Sequence, residues 1–253
     1  MPQTSMSNAD PTRQTAPTAA IEPPERRAVS HLASHLRLWA FAAAGLAADL
    51  WTKDWAFRAL KPSTPLVVVE DLCSLQLSLN PGALFGLGAG LAPIFVGASV
   101  LALLFVIYLF ANTPASRWWV HIALGLVLAG ALGNLYDRTF QEAYVASVAQ
   151  GGHDVGRLVQ LTDTQVVLED FPHGGNRRVW PRPTDSASGL QPVVRDFIRI
   201  EARIGGHSLW PWVFNIADAL LVVGVGVLLV TFALERRTQA ASQPAPTGAT
   251  SSR

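Results

Sequence analysis

Trp210-Pro-Trp-Val-Phe-Asn-Ile-Ala-Asp218, followed by sixteen residues (219–234) with almost no polarity, decides how this chain is to be read. The segment is long and apolar enough to cross a bilayer, which takes about 20 residues as a helix. It nevertheless carries an amide, Asn215, and a carboxylate, Asp218. A carboxylate within a membrane helix is costly and by default marks a functional site. Three residues apart, Asn215 and Asp218 share one helical face. With the helix starting near residue 211, Asp218 is expected about seven residues in, on the order of 10 Å from the helix start.

The composition agrees with a membrane location. Of 253 residues half are hydrophobic, only 15% are charged, and the mean hydropathy is +0.28, which argues against an ordinary soluble domain. A net charge of +1 gives no reason to expect a nucleic-acid partner. Cys73 is the single cysteine, so neither an intramolecular disulfide nor a Cys-rich metal site is expected. The histidines, among them His121, His153, His173 and His207, lack ligand spacing, and no metal or cofactor is expected.

Four stretches meet the length and apolarity of a spanning helix: 38–57, 92–112, 118–137 and 211–234. The expected class is therefore an all-α membrane protein of four transmembrane helices. Residues 1–37 and 235–253 read as disordered tails. Arg26, Arg27 and Arg37 precede the first span, Arg117 lies in the short second connection, and Arg236 and Arg237 follow the last. The positive-inside bias places all three regions, and both termini, in the cytoplasm. On the outer side, the mix of Val, Leu and polar residues over 64–79 suggests short strands. The larger outer loop, about 141–191, suggests a strand pair near 158–168 and an irregular stretch at 174–189.

The polar residues cluster at one level. Asp49 and Lys53 stand at i and i+4 with the acid first, the favourable order for a helical ion pair, and read as a clamp near the outer interface with Lys53 snorkelling. Gly125, Ala129 and Gly133 form a small-residue stripe that permits close helix packing. Asn134 adjoins that stripe and shares a face with Asp137 and Arg138, whose simplest reading is an interfacial ion pair. Asp196 lies in an apolar run, Val193-Val194-Arg195-Asp196-Phe197-Ile198, expected to lie against the membrane surface. Spacing alone leaves Asp137 and Asp196 both open as partners of Asp218. A small proton- or ion-coupled transporter using the buried carboxylates is the alternative class, and it predicts polar groups across the full membrane depth.

Taken in order, four segments resemble the signature of the bacterial lipoprotein signal peptidases, or signal peptidase II. They are Asp49-x-x-x-Lys53, Asn80-Pro-Gly-Ala-Leu-Phe85, Gly130-Ala-Leu-Gly-Asn-Leu-Tyr-Asp-Arg138 with Val194-Arg-Asp-Phe197 after it, and Phe214-Asn-Ile-Ala-Asp218. The resemblance implies four membrane helices, a small extracytoplasmic β-rich platform, and an aspartyl endopeptidase that cleaves prolipoproteins before a diacylglyceryl-modified cysteine. It further implies Asp196 and Asp218 as the catalytic pair, and Asn80, Gly82, Asn134, Arg138 and Asn215 as substrate-holding or orienting residues. Asp49, Lys53 and Asp137 are implied as structural support. Membrane lipids are the implied partners of a monomer in the bacterial inner membrane, with its site on the extracytoplasmic side. The sequence departs from the family's pattern in the inserted stretch between the Asp137-Arg138 pair and Asp196, and in Pro81 and Leu84.

Overall fold

Residues 25–62, 64–82, 92–148, 152–184 and 188–242 are described by a computed structural model of the chain. Its four helices are α1 (Leu32–Ala59), α2 (Ala92–Asn112), α3 (Trp118–Phe140) and α4 (Ile216–Ser242). α3 forms the centre of the bundle, with Val120, Ala123, Leu124 and Ala129 essentially inaccessible. The small-residue stripe explains why. A Cβ added to Gly125 would lie 2.7 Å from the Leu38 carbonyl oxygen of α1, and one on Gly133 would run into the Asp49 carboxylate. On the side facing α4, a Cβ on Gly130 would strike the Ala217 carbonyl. Without side chains at these positions the backbones approach closely enough to exclude lipid and water from the polar groups between them.

α3 and the Ile216–Thr238 part of α4 are each long and apolar enough to cross a membrane. Large apolar side chains also cover the outer faces of the other helices, with Trp39 and Trp51 of α1 and Leu101 and Phe105 of α2 more than half exposed. At the end of the bundle away from the sheets, residues 25–31 are ordered against the α2–α3 connection rather than belonging to a free tail. The Ala28 N–H donates to the Thr113 carbonyl (2.8 Å), and the Ala115 N–H to that of Arg26 (2.8 Å). Residues 32–37 and 235–242, also expected in the tails, extend α1 and α4, and residues 1–24, 83–91 and 243–253 lie outside the described residues.

The last helix starts later than the apolar run suggests. Residues 213 and 214 form a strand, β11 (Val213–Phe214), and α4 begins at Ile216. Asn215 is its N-cap: the Asn215 Oδ1 accepts the Asp218 N–H at 3.0 Å, and the Asp218 Oδ2 accepts the Asn215 N–H at 3.2 Å. This reciprocal pair is a capping box, with Asp218 in the place usually taken by Glu or Gln. Asp218 is thus the third residue of the helix rather than about the seventh, because local capping chemistry, not hydropathy, sets the boundary.

An all-α class is too narrow. A four-stranded antiparallel sheet, order β1-β2-β8-β11, joins β1 (Leu66–Val69), β2 (Cys73–Asn80), β8 (Val194–Ile200) and β11. The inserted stretch folds as a second antiparallel sheet, order β6-β5-β4-β3-β7, from β3 (Glu142–Ser147), β4 (His153–Leu161), β5 (Gln165–Glu169), β6 (Arg177–Pro181) and β7 (Gly189–Pro192). The strand pair expected near 158–168 is present as β4 and β5, while β6 occupies part of the stretch expected to be irregular. Tyr144, Ala146, Val166 and Leu168 form the core of this second sheet, with Leu158 and Trp180 against them. A hairpin of β9 (Arg203–Ile204) and β10 (His207–Ser208) turns through Gly205 and Gly206, at φ +58 and +83, as a two-residue turn with both central residues left-handed requires. Whole-chain hydropathy is dominated by the helices, so short strands leave little trace in it.

Candidate active site at the start of the fourth helix

The first sheet delivers Asp196 to the end of the bundle. β8 pairs with β2 so that Asp196 opposes Ser78 and Val194 opposes Asn80, with a bulge in β2 between Leu75 and Ser78. A bulge bends and twists a strand and re-aims the side chains beside it. Asp196 is 2% exposed. Its Oδ2 accepts the Asn80 Nδ2 at 3.2 Å and its Oδ1 accepts the Asn215 Nδ2 at 2.6 Å. The other end of the Asn80 amide accepts the Gly82 N–H at 3.0 Å. Gly82 holds φ +107, a conformation that a side chain would strain.

One amide therefore joins the two carboxylates. Asn215 bonds Asp196 through its Nδ2 and caps Asp218 through its Oδ1 and backbone N–H. Asn134 of α3 closes a second path, donating to the Asp218 Oδ1 at 2.8 Å while its own oxygen accepts the Asn215 Nδ2 at 3.2 Å. Asp218 is half-buried and Asn215 is fully buried. Burial, and then the charge of Asp218, hold the Asp196 carboxyl well above the usual carboxylate range, against the opposing pull of the Asn215 and Asn80 donors and the charge of Lys53. The half-buried Arg138 guanidinium acts electrostatically on Asp196, Asp218 and Asp137.

A chain of buried charges lies behind this pair. Lys53 Nζ is 2.7 Å from Asp49 Oδ2, 3.5 Å from Asp137 Oδ2 and 3.2 Å from Asn134 Oδ1. The Lys53 side chain is wholly inaccessible, so it does not snorkel to an interface. Asp49 also reaches across to α4, where its Oδ1 accepts the Ala217 N–H at 2.8 Å. Asp137 is fully buried rather than at an exposed helix end. Its oxygens accept the Arg195 Nη2 at 2.8 Å and the Arg195 N–H at 2.9 Å. Asp137 is taken up in holding β8 in place, and it is Asp196 that meets Asn215.

All ten residues singled out from the sequence thus fall at one end of the bundle, and Arg195 is the one that sequence reasoning missed. Its signal was present: an arginine in the otherwise apolar run 193–198 is expensive unless a buried acid receives it. Among the described residues, no group of three or more His, Cys, Asp or Glu side chains comes together that could hold a metal ion.

Comparison with known proteins gives a consistent picture. A family model described as "Signal peptidase (SPase) II" matches residues 41–234. The chain is 30% identical over 195 residues to a lipoprotein signal peptidase of Desulfitobacterium hafniense, covering 75% of this chain and 91% of that protein. It is 33% identical over 194 residues to that of Rhodopirellula baltica, covering 75% and 68%. The fold is similar to that of a bacterial membrane enzyme solved by the in meso method, with a TM-score of 0.55 at 19% identity, covering 88% of this chain and 98% of the other.

Removing the cation at the centre of the charge chain leaves Asp49 and Asp137 buried without it. Lys53→Met is expected to cost about 3–5 kcal/mol of stability, measured by thermal unfolding in detergent. Arg58→Met, which breaks an exposed pair with Asp54 (3.0 Å), is expected to change stability by less than about 1 kcal/mol. Equal, small effects of both changes would contradict a buried, paired Lys53.

Proposed function

From the premise that this chain belongs to the signal peptidase II family, we propose that it cleaves prolipoproteins before the diacylglyceryl-modified cysteine, with Asp196 and Asp218 as its catalytic carboxylates. Removal of lipoprotein signal peptides is the function of the family to which the chain belongs, and the protein is a membrane-embedded peptidase. The observation that carries the choice of residues is Asn215, whose amide bonds Asp196 while its cap fixes Asp218. Two carboxylates held on one amide are positioned to share a water.

In this reading Asp196 keeps its proton and Asp218 takes one. Burial raises the Asp196 carboxyl, and adjacent carboxylates resist joint ionisation. Asp218, in the first turn of α4 with Asn134 donating to its Oδ1, is assigned as the base that receives the water's proton. As the water oxygen bonds to the scissile carbonyl carbon, its proton passes to Asp218 and the Asp196 proton passes to the carbonyl oxygen. Collapse of the tetrahedral adduct breaks the C–N bond: the amine leaves with the proton held by Asp218, and a hydroxyl proton of the adduct returns to Asp196, which leaves a carboxylic acid and restores the pair. Asn80, Gly82, Asn134 and Arg138 line the same end of the bundle and are assigned to holding the substrate backbone and orienting the pair.

The topology follows from the same placement. All four helices cross the bacterial inner membrane, with both termini in the cytoplasm and the two sheets on the extracytoplasmic side. The substrate's acyl chains then remain in the outer leaflet while the peptide reaches Asp196 and Asp218. One chain supplies every residue of the site, which suits a monomer. The transporter reading calls for polar groups through the full membrane depth, whereas the linked charges gather at the sheet end, and family membership lends it no support.

Cleavage of a lipidated prolipoprotein by the purified protein tests the proposal. Asp196→Asn and Asp218→Asn are each expected to lower kcat more than about a thousandfold; full activity in either variant would overturn the pair. The protonated form of Asp196 exists below its raised pKa, so activity is expected to fall as pH rises through that value. Asn80→Ala removes a donor that favours the ionised form, and its alkaline limb should move to higher pH. A limb moving to lower pH would contradict the assignment of Asp196 as the acid.

A further inference from the structure

Among the described residues, the inserted sheet is attached to the rest of the protein at three places. Two are its roots. β3 follows α3 after the single residue Gln141, β7 precedes β8 by the single residue Val193, and the Val193 N–H donates to the Gln141 carbonyl at 3.0 Å. The third lies at the far turn, between β5 and β6. There Phe171 leaves the sheet and packs edge-on against Phe57 of α1, with ring centroids 6.1 Å apart. It joins the apolar cluster built on Ala56, Phe57 and Phe197, which also receives Ile216. Phe197 follows Asp196 directly, and Ile216 follows Asn215.

The turn that presents Phe171 is itself fastened. Glu169, almost fully buried, is held by Arg157 at 2.5 Å and Arg177 at 2.6 Å. Asp170 receives Arg178 at 2.5 Å and both the backbone N–H and the side-chain amide of Asn176, at 3.4 and 3.2 Å. The Gly174 N–H donates to the Asp170 carbonyl at 2.8 Å, at a glycine with φ +79. Charge-assisted bonds of this kind, converging on two adjacent residues, order a turn that would otherwise be mobile. Three anchorages and a braced turn describe a fixed wall rather than a lid.

We infer that the inserted sheet is a buttress for the carboxylate pair, and that Phe171 is a positioning residue acting through Phe57, Phe197 and Ile216. The inference rests on Asp196 and Asp218 being the catalytic pair. Phe171 packs on Phe57 in the cluster that takes in Phe197, next to Asp196, and Ile216, the first residue of the helix that carries Asp218. A cluster that loses the ring is expected to let β8 and the start of α4 shift independently. Misplacement of reacting groups by about 1 Å is enough to lower a rate roughly 100-fold, while the substrate's own contacts are unchanged.

A graded series at this position tests it: Phe171→Leu, Phe171→Val and Phe171→Ala in the full-length protein, with kcat and KM measured on a lipidated prolipoprotein. The expected result is a kcat that falls with side-chain volume, Leu retaining most of the rate and Ala losing roughly 10- to 100-fold, at unchanged KM. Equal kcat across the folded variants overturns the inference, as does a change confined to KM, which would place Phe171 in contact with substrate. If the alanine variant does not fold, the comparison of Leu with Val decides by the same criterion. An inactive parent protein would instead contradict the proposed function, so the two failures are told apart.

Discussion

The start of α4 depends on donors and acceptors drawn from α1 and from its own first turn. The Ala217 N–H is capped by Asp49 of α1, the Asp218 N–H by Asn215, and the Asn215 N–H by Asp218 itself. Free N–H groups at a helix start need partners, and here two of the partners are carboxylates whose positions matter for the site. The helix cannot begin elsewhere without stranding them. This boundary sets how far Asp218 sits from Asp196, so the caps fix both the architecture and the geometry of the proposed chemistry.

Behind the caps, charge is balanced in a chain: Asp49, Lys53, Asp137 and Arg195 alternate in sign and are almost entirely removed from solvent. Buried ion pairs give little net stability against well-packed apolar residues. Their role here is better described as registry. Lys53 fixes α1 against α3, Asp137 fixes α3 against β8, and Asn134 and Asn215 carry the connection on to Asp218 and Asp196. The glycines of α3 make this arrangement possible, because Gly133 leaves room for the Asp49 carboxylate and Gly130 for the backbone of α4.

Much of this was legible in the sequence, and the exceptions have physical causes. The Asp49–Lys53 spacing and the small-residue stripe follow from helical periodicity, and each of the four apolar runs holds one of the four helices. The position of Asp218 along its helix was misjudged because hydropathy continues through 211–215, whereas Asn215 ends the extended segment by capping. Spacing could not choose between Asp137 and Asp196, since the choice depends on Arg195 reaching back to Asp137 across 58 positions of sequence. The inserted sheet was mostly read as loop. Four of its five strands show no strict alternation of burial that a period of two would reveal, and what holds the turn at Phe171 is a set of pairings among Arg157, Glu169, Asp170, Arg177 and Arg178 that no local pattern announces.

The insertion separates Asp137 from Asp196 in sequence without separating them in space, because its two roots are hydrogen-bonded to each other. The central claim remains the joining of Asp196 and Asp218 through Asn215. It is tested most directly by an experimental structure of the protein with a lipidated, non-cleavable peptide whose scissile bond is replaced by a hydroxyl-bearing isostere. The account predicts that hydroxyl within hydrogen-bond distance of both carboxylates, with Asn215 still donating to Asp196. A hydroxyl bound by only one of the two carboxylates, or by Asp137 in place of Asp196, would contradict it.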